Sequence, residues 1–209
     1  KICPAMYKFK EKDLIGLVHG DDFVAVGTDE SLMWLDEVLN KKYKARWEAK
    51  LGDGEKDDKE AFFLNRLIRY VPDGTDHDGE RLEVEADARH AEILIRGFGF
   101  DEKTKGAEIP EEKMTDKDVV DEMRQPVLGS EQTSEYRSMV MRLAYMSVDR
   151  PDLAHAVRML ATAMKSPKAG DWGRLKRVVR YLVKCPYMKR VYFRQKEEDI
   201  RVVAWSDRS

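Results

Sequence analysis

From Leu14 to Val26 the chain reads Leu-Ile-Gly-Leu-Val-His-Gly-Asp-Asp-Phe-Val-Ala-Val, two short apolar arms that meet at His19-Gly20-Asp21-Asp22. No other stretch constrains the fold as strongly. β-Branched and aromatic side chains favour a pleated strand, and a Gly-Asp pair between two such runs favours a tight reversal. The expected element is an antiparallel hairpin with adjacent carboxylates at its tip. Two like charges about 4 Å apart repel by roughly 4 kcal/mol at an effective dielectric near 20, so a cation between them would let both stay ionised. Hard carboxylate oxygens suit Mg²⁺, which keeps several waters and is commonly shared with substrate phosphates. The spacing alone also fits, more simply, a turn that only reverses the chain.

The rest of the sequence surrounds this hairpin with a mixture of helices and strands. Thr28 or Asp29 can cap a helix over 30–43, where Leu32, Leu35, Leu39 and Tyr43 recur at helical spacing. Residues 52–60 form a polar loop whose Asp53, Asp57 and Asp58 lack EF-hand spacing. A strand is expected over 61–71. Pro72-Asp73-Gly74 and Asp78-Gly79 then turn the chain into the alternating run 81–85. Asp87 can cap a helix over 88–96, with Gly97 as its C′ residue.

Residues 103–130 are polar and acidic and read as a linker. Three helices are expected beyond it. The first, over 134–147, carries Tyr136, Val140, Leu143 and Met146 on one stripe. The second opens at Pro151 and carries Leu153, Val157, Leu160 and Met164. The third, over 171–184, carries Trp172, Leu175, Val179 and Leu182. Strand-like runs at 190–193 and 201–205 follow. The expected class is α+β.

Charge is unevenly placed. The net charge is −2, yet between Lys165 and Arg194 the one acid is Asp171. In the third helix Arg174, Lys176, Arg177, Arg180 and Lys184 form a basic face opposite the apolar stripe. Such a face suits the phosphates of a nucleic acid, or is simply solvated; one acid among so many bases favours phosphate. The 2 cysteines and 4 histidines show no disulfide framework and no zinc spacing, which fits a reducing compartment. No apolar stretch is long enough to span a bilayer and no signal peptide is visible, so a cytoplasmic location is expected, with a nuclear one or a virus-like particle as alternatives. The start at Lys1 and the stop at Ser209 read as cuts from something longer.

The order of several short motifs resembles the reverse transcriptase of copia-type LTR retrotransposons. The Asp21-Asp22 hairpin looks like the palm hairpin of that family, and Phe63-Leu64 like its Phe-Leu-Gly segment. Leu82–Phe100 and Ile109-Pro110 look like the strand, helix and proline that follow. Tyr136-Arg137-Ser138 through Tyr145, then Asp149-Arg150-Pro151-Asp152-Leu153, is similar to the family's Tyr-Arg-Ser and Arg-Pro-Asp run. Ser166-Pro167, Trp172 and Arg180-Tyr181-Leu182 continue it.

The resemblance implies a partial polymerase palm, a β-hairpin with helices on a small antiparallel sheet, over 1–102. It implies a linker over 103–132, a helical thumb and connection region over 133–187, and strands leading into a truncated RNase H domain over 188–209. It also implies an RNA-directed DNA polymerase parent that uses Mg²⁺ or Mn²⁺ at Asp21 and Asp22. The partners of that parent would be an RNA/DNA primer–template and dNTPs, with no membrane. Asp207 would be the first RNase H carboxylate.

The fingers, the earlier palm aspartate and the rest of RNase H would lie in other segments of the polyprotein, so the fragment is expected to be inactive alone. The sequence departs from the family at His19-Gly20, where a Tyr-Val-like pair is usual. It departs again at Asn65, which stands for glycine and shares its tolerance of left-handed backbone. Arg150 is expected to pair with an acid and cap a helix junction. The alternatives are a non-catalytic nucleic-acid-binding remnant of a retroelement and a free-standing metal-dependent hydrolase.

Overall fold

The computed structural model describes residues 4–75, 79–112, 115 and 124–195; the run at 201–205 and Asp207 lie outside the described residues. The protein is α+β, with two small antiparallel sheets, and the chain divides into two compact units at 48/49.

The first unit contains β1 (Met6–Phe9), a 3₁₀ turn (Lys10–Lys12), β2 (Leu14–His19), β3 (Asp22–Val26) and α1 (Asp29–Asn40). The expected hairpin is β2–β3, and β1 adds to it in the order β1-β2-β3. Thr28 is the cap of α1: Ser31 N donates to Thr28 Oγ1 at 3.3 Å. The Ser31 hydroxyl donates to the Lys12 carbonyl. The helix stops at Asn40, not at Tyr43, which is exposed. Lys41 and Lys42 offer no apolar face to bury, and without packing a further turn gains little.

Directly opposed residues share a sheet face. Phe9 pairs with Leu14, Gly16 with Ala25 and Val18 with Phe23 on one face. That face carries α1, since Leu14 is fully buried and the rings of Phe9 and Trp34 meet edge-on at 5.8 Å. Met6, Ile15, Leu17, His19, Asp22, Val24 and Val26 share the other face, where Met6 is 55% and Val26 68% exposed.

The second unit holds a four-stranded antiparallel sheet, β4 (Glu60–Phe63), β5 (Arg66–Val71), β6 (Arg81–Glu85) and β7 (Lys189–Phe193), in the order β4-β5-β6-β7. Its helices are α2 (Arg89–Gly97), α3 (Ser130–Ser147), a 3₁₀ turn (Pro151–Leu153) running into α4 (Ala154–Thr162), and α5 (Ala169–Lys184). The single strand expected over 61–71 is in fact two. Leu64 and Asn65 take φ of +48° and +63° between the pair Phe63 and Arg66, which is the backbone of a type I′ hairpin turn. Asn65 adopts that region readily, whereas Leu64 carries a cost of about 1 kcal/mol.

The end of α2 also differs from the expectation. Phe100 N donates to Ile95 O at 3.0 Å and Gly99 N to Arg96 O at 2.9 Å, with Gly99 at φ +66°. This is a Schellman motif whose left-handed residue is Gly99, not Gly97. Gly97 faces α3, and a Cβ there would meet only the tip of Met139 at 3.4 Å, an ordinary contact. Asp87 does cap α2, accepting from Arg89 N at 3.0 Å.

The core follows the three stripes. Tyr136, Val140, Leu143 and Met146 of α3, Leu153, Val157 and Leu160 around α4, and Leu175, Val178, Val179 and Leu182 of α5 form one buried cluster. Ala91 and Leu94 of α2 join it, so the helix before the polar segment and the helices after it share a core.

Candidate functional site

The two aspartates differ in position. His19 and Asp22 form the last pair of the hairpin, which leaves Gly20-Asp21 as a two-residue turn. Gly20 has φ +63°, and Asp21 is not among the residues with positive φ, the pattern of a type II′ turn. Asp21 therefore sits in the turn, while Asp22 opens β3 on the α1-free face beside His19. Both are exposed.

Nothing lies within 4 Å of a Cβ built on Gly20, so the demand for glycine is conformational rather than steric. The departure from a Tyr-Val-like pair thus fits the turn it occupies. Gly20→Val should destabilise the hairpin by about 1–2 kcal/mol, because a β-branched residue is forced to positive φ. Leu17 and Val24 form the next hydrogen-bonded pair of the ladder beyond His19 and Asp22, so faster amide exchange there reports the change, and unaltered exchange would contradict it.

The carboxylate chemistry suits Mg²⁺ or Mn²⁺, but the number of ligands falls short. Among the described residues no group of three His, Cys, Asp or Glu side chains could hold a metal. The acidic loop offers no substitute. Asp57 pairs with Lys50 at 3.0 Å and accepts from Gly54 N at 3.1 Å. The Lys50 partner holds its carboxyl below the usual range, against the opposing push of burial. Asp58 accepts from Lys50 N at 3.0 Å, and the Lys59 ammonium donates to the Gly52 carbonyl at 2.7 Å.

The basic residues do lie together on α5, and the chain's own residues meet them. Lys168 N donates to Asp171 Oδ2 at 2.7 Å, which caps the helix, and Arg174 pairs with the same Asp171. Lys176 Nζ lies 5.8 Å from the centre of the Phe100 ring. Arg177 pairs with Glu112 and Lys184 with Glu108. Arg180 Nε donates to the Lys105 carbonyl at 2.8 Å. The polar segment read as a linker thus runs along α5 from Lys105 to Glu112, a docking that no local pattern in the sequence announces.

The family-like motifs of α3 and its junction turn out to be clamps. Arg150, 1% exposed, forks onto Asp152 with Nε–Oδ1 at 3.0 Å and Nη2–Oδ2 at 2.8 Å. It also donates to the carbonyls of Pro186 at 3.1 Å and Cys185 at 2.9 Å. Tyr181 Oη donates to Asp152 Oδ2 at 2.9 Å.

Burial pushes the Asp152 carboxyl up, but Arg150 and Tyr181 together hold it below the ordinary carboxylate value. The Tyr181 phenol is pushed up to about 12, first by burial and then by Asp152. Arg150 pairs with an acid as expected, but the carbonyls it caps lie past the end of α5 rather than at the junction of α3 and α4. Tyr136 Oη donates to the Leu160 carbonyl at 2.8 Å, and Arg137 donates to the carbonyls of Met164 at 2.7 Å and Lys165 at 3.1 Å. The role of Arg137 was not read from sequence. Its one available signal is a bulky donor beside a core tyrosine.

Comparison with known proteins finds similarity over part of the chain. A stretch of 74 residues is 39% identical to the retrovirus-related Pol polyprotein from transposon RE2 of Arabidopsis thaliana, covering 35% of this chain and 5% of that protein. A stretch of 49 residues is 41% identical to an uncharacterized mitochondrial protein of Arabidopsis thaliana, covering 23% of this chain and 20% of that one. The matched stretches span a small part of either relative. They bear out the resemblance to copia-type retrotransposon sequence. No family profile matches the chain, and no solved structure matches it. Among the described residues no helix is long and apolar enough to cross a membrane.

Proposed function

We propose that this chain is the later-palm-to-connection portion of a copia-type RNA-directed DNA polymerase, and that Asp21 and Asp22 supply part of the metal site of the longer protein. The similarity to a Pol polyprotein carries this reading. The hairpin supports it by presenting two solvent-open carboxylates at a two-residue turn. In this reading 1–102 are later palm, 103–132 a linker, 133–187 thumb and connection, and 188–209 the approach to RNase H. The partners are a primer–template and dNTPs, in the cytoplasm or a virus-like particle.

A divalent ion held there would stabilise the attacking and leaving oxygens of an in-line displacement. The part played by this chain is to fix acceptor oxygens on a rigid turn, which Gly20 permits and the β2–β3 ladder holds. With two carboxylates and no third ligand among the described residues, the chain alone should give no Mg²⁺-dependent primer extension. The same sequence extended through the preceding polyprotein segment should give it. Incorporation by the chain alone, or none by the folded longer protein, would overturn the reading. The missing third ligand equally favours a second reading, a non-catalytic remnant that only binds nucleic acid, and inactivity of the longer protein would select it.

A further inference from the structure

We propose that Glu108–Glu112 form an acidic clasp over α5, and that this helix accepts a nucleic-acid backbone only when the clasp is displaced. The proposal rests on the nucleic-acid reading above and adds a competitor supplied by the chain itself.

The segment has two differently held halves. At its start it is fixed by backbone: Ala107 N donates to the Arg180 carbonyl at 3.1 Å, and Ala107 is buried. A Cβ on Gly106 would lie 2.7 Å from Lys184 Cβ, so the strand of chain sits directly on the helix. Beyond Ala107 the contacts become charge pairs. Glu108 meets Lys184, Glu112 meets Arg177, and Glu111 meets His155 of α4. The acids are well exposed, with Glu108 side chain at 79% and Glu112 at 68%.

Exposed ion pairs are individually weak and screened by salt. A duplex presents a continuous line of phosphates and gains from releasing its counterions. The carboxylates and the phosphates would use the same guanidinium and ammonium groups, so they exclude one another. The backbone-held half marks Ala107 as the hinge: 108–112 can lift while 105–107 stay seated.

The test compares full-length variants binding a 20-base-pair DNA duplex at low salt. Replacing Glu108, Glu111 and Glu112 by glutamine should tighten binding about tenfold, because the two carboxylates that compete for Lys184 and Arg177 are neutralised along with the acid between them. A control with the same change in net charge, Asp53→Asn with Glu55→Gln and Glu131→Gln, should gain much less. Adding Arg177→Ala and Lys184→Ala to the clasp variant should abolish the gain. In the wild-type chain, saturating duplex should move the side-chain carboxyl ¹³C signals of Glu108 and Glu112 toward those of free carboxylates and leave the Ala107 amide, bonded to the Arg180 carbonyl, protected from exchange.

Equal gains in the clasp and control variants would overturn the proposal. So would a gain that survives loss of Arg177 and Lys184, or Glu108 and Glu112 carboxyl signals that duplex does not move. If no variant binds duplex at all, the clasp falls, whereas the polymerase reading is still decided separately by primer extension with the longer protein.

Discussion

Arg150→Ala lowers the stability of the second unit by about 3–5 kcal/mol, the range for breaking a buried ion pair from one side. Three consequences combine. The Asp152 carboxylate is left part-buried with the Tyr181 hydroxyl as its remaining side-chain donor. The carbonyls of Cys185 and Pro186, past the end of α5, lose the donor that reaches them. A cavity opens where a nearly inaccessible guanidinium stood. Arg150→Lys should recover less than half of the loss, since an ammonium keeps the charge but not the planar fork.

The Asp152 carboxyl is held below its ordinary value in the fold. Its contribution is therefore complete above the unfolded value, near pH 4, and fades as the pH falls through the lower folded value. The variant should lose that acid-side dependence. Urea denaturation at pH 7 and pH 3 measures both effects, and a loss under about 1 kcal/mol would show the clamp to be ornamental.

The second large effect is expected in the first unit. Leu14→Ala should remove about 2–5 kcal/mol there. In residues 4–48 Leu14 is the one apolar residue fully shut off from solvent, and its Cδ1 would sit 2.8 Å from a Cβ placed on Gly27. Small units bury a low fraction of their surface and have little stability to lose. Amide protection across β2 and β3 should therefore collapse in the variant. Retained protection with a Tm drop of only about 2 °C would mean that Phe9 and Trp34 carry the unit instead.

What could be read from the sequence was local or periodic. The α3 stripe of Tyr136, Val140, Leu143 and Met146 is the buried set, because a helical repeat states which residues face inward. The β2–β3 hairpin was legible for the same reason, as turn residues between β-branched arms. The Leu64-Asn65 turn was half hidden, because Asn65 advertises one left-handed position and Leu64 conceals the one before it. Gly97 and Gly99 both follow the apolar helix, and the bond from Phe100 to Ile95 with the positive φ of Gly99 tells them apart.

Long-range pairing was beyond reach. Glu108 meets Lys184 across a separation of 76 residues, and β7 pairs with β6 after all the intervening helices. At the site, the carboxylate pair and the basic residues were found by composition. What surrounds the basic face was invisible, because a charge run does not say which acids will lie against it.

β3 ends the order of its sheet, and among the described residues its strand partner is β2. Neighbouring strands lie about 4.8 Å apart, and directly opposed α-carbons about 4.5–5.5 Å. A strand added to this edge would therefore set one of its residues beside Asp22 with no change in the hairpin. Register alone would decide which residue that is. A slip of one position would turn the newcomer's side chain away from the carboxylates and toward the face that carries α1.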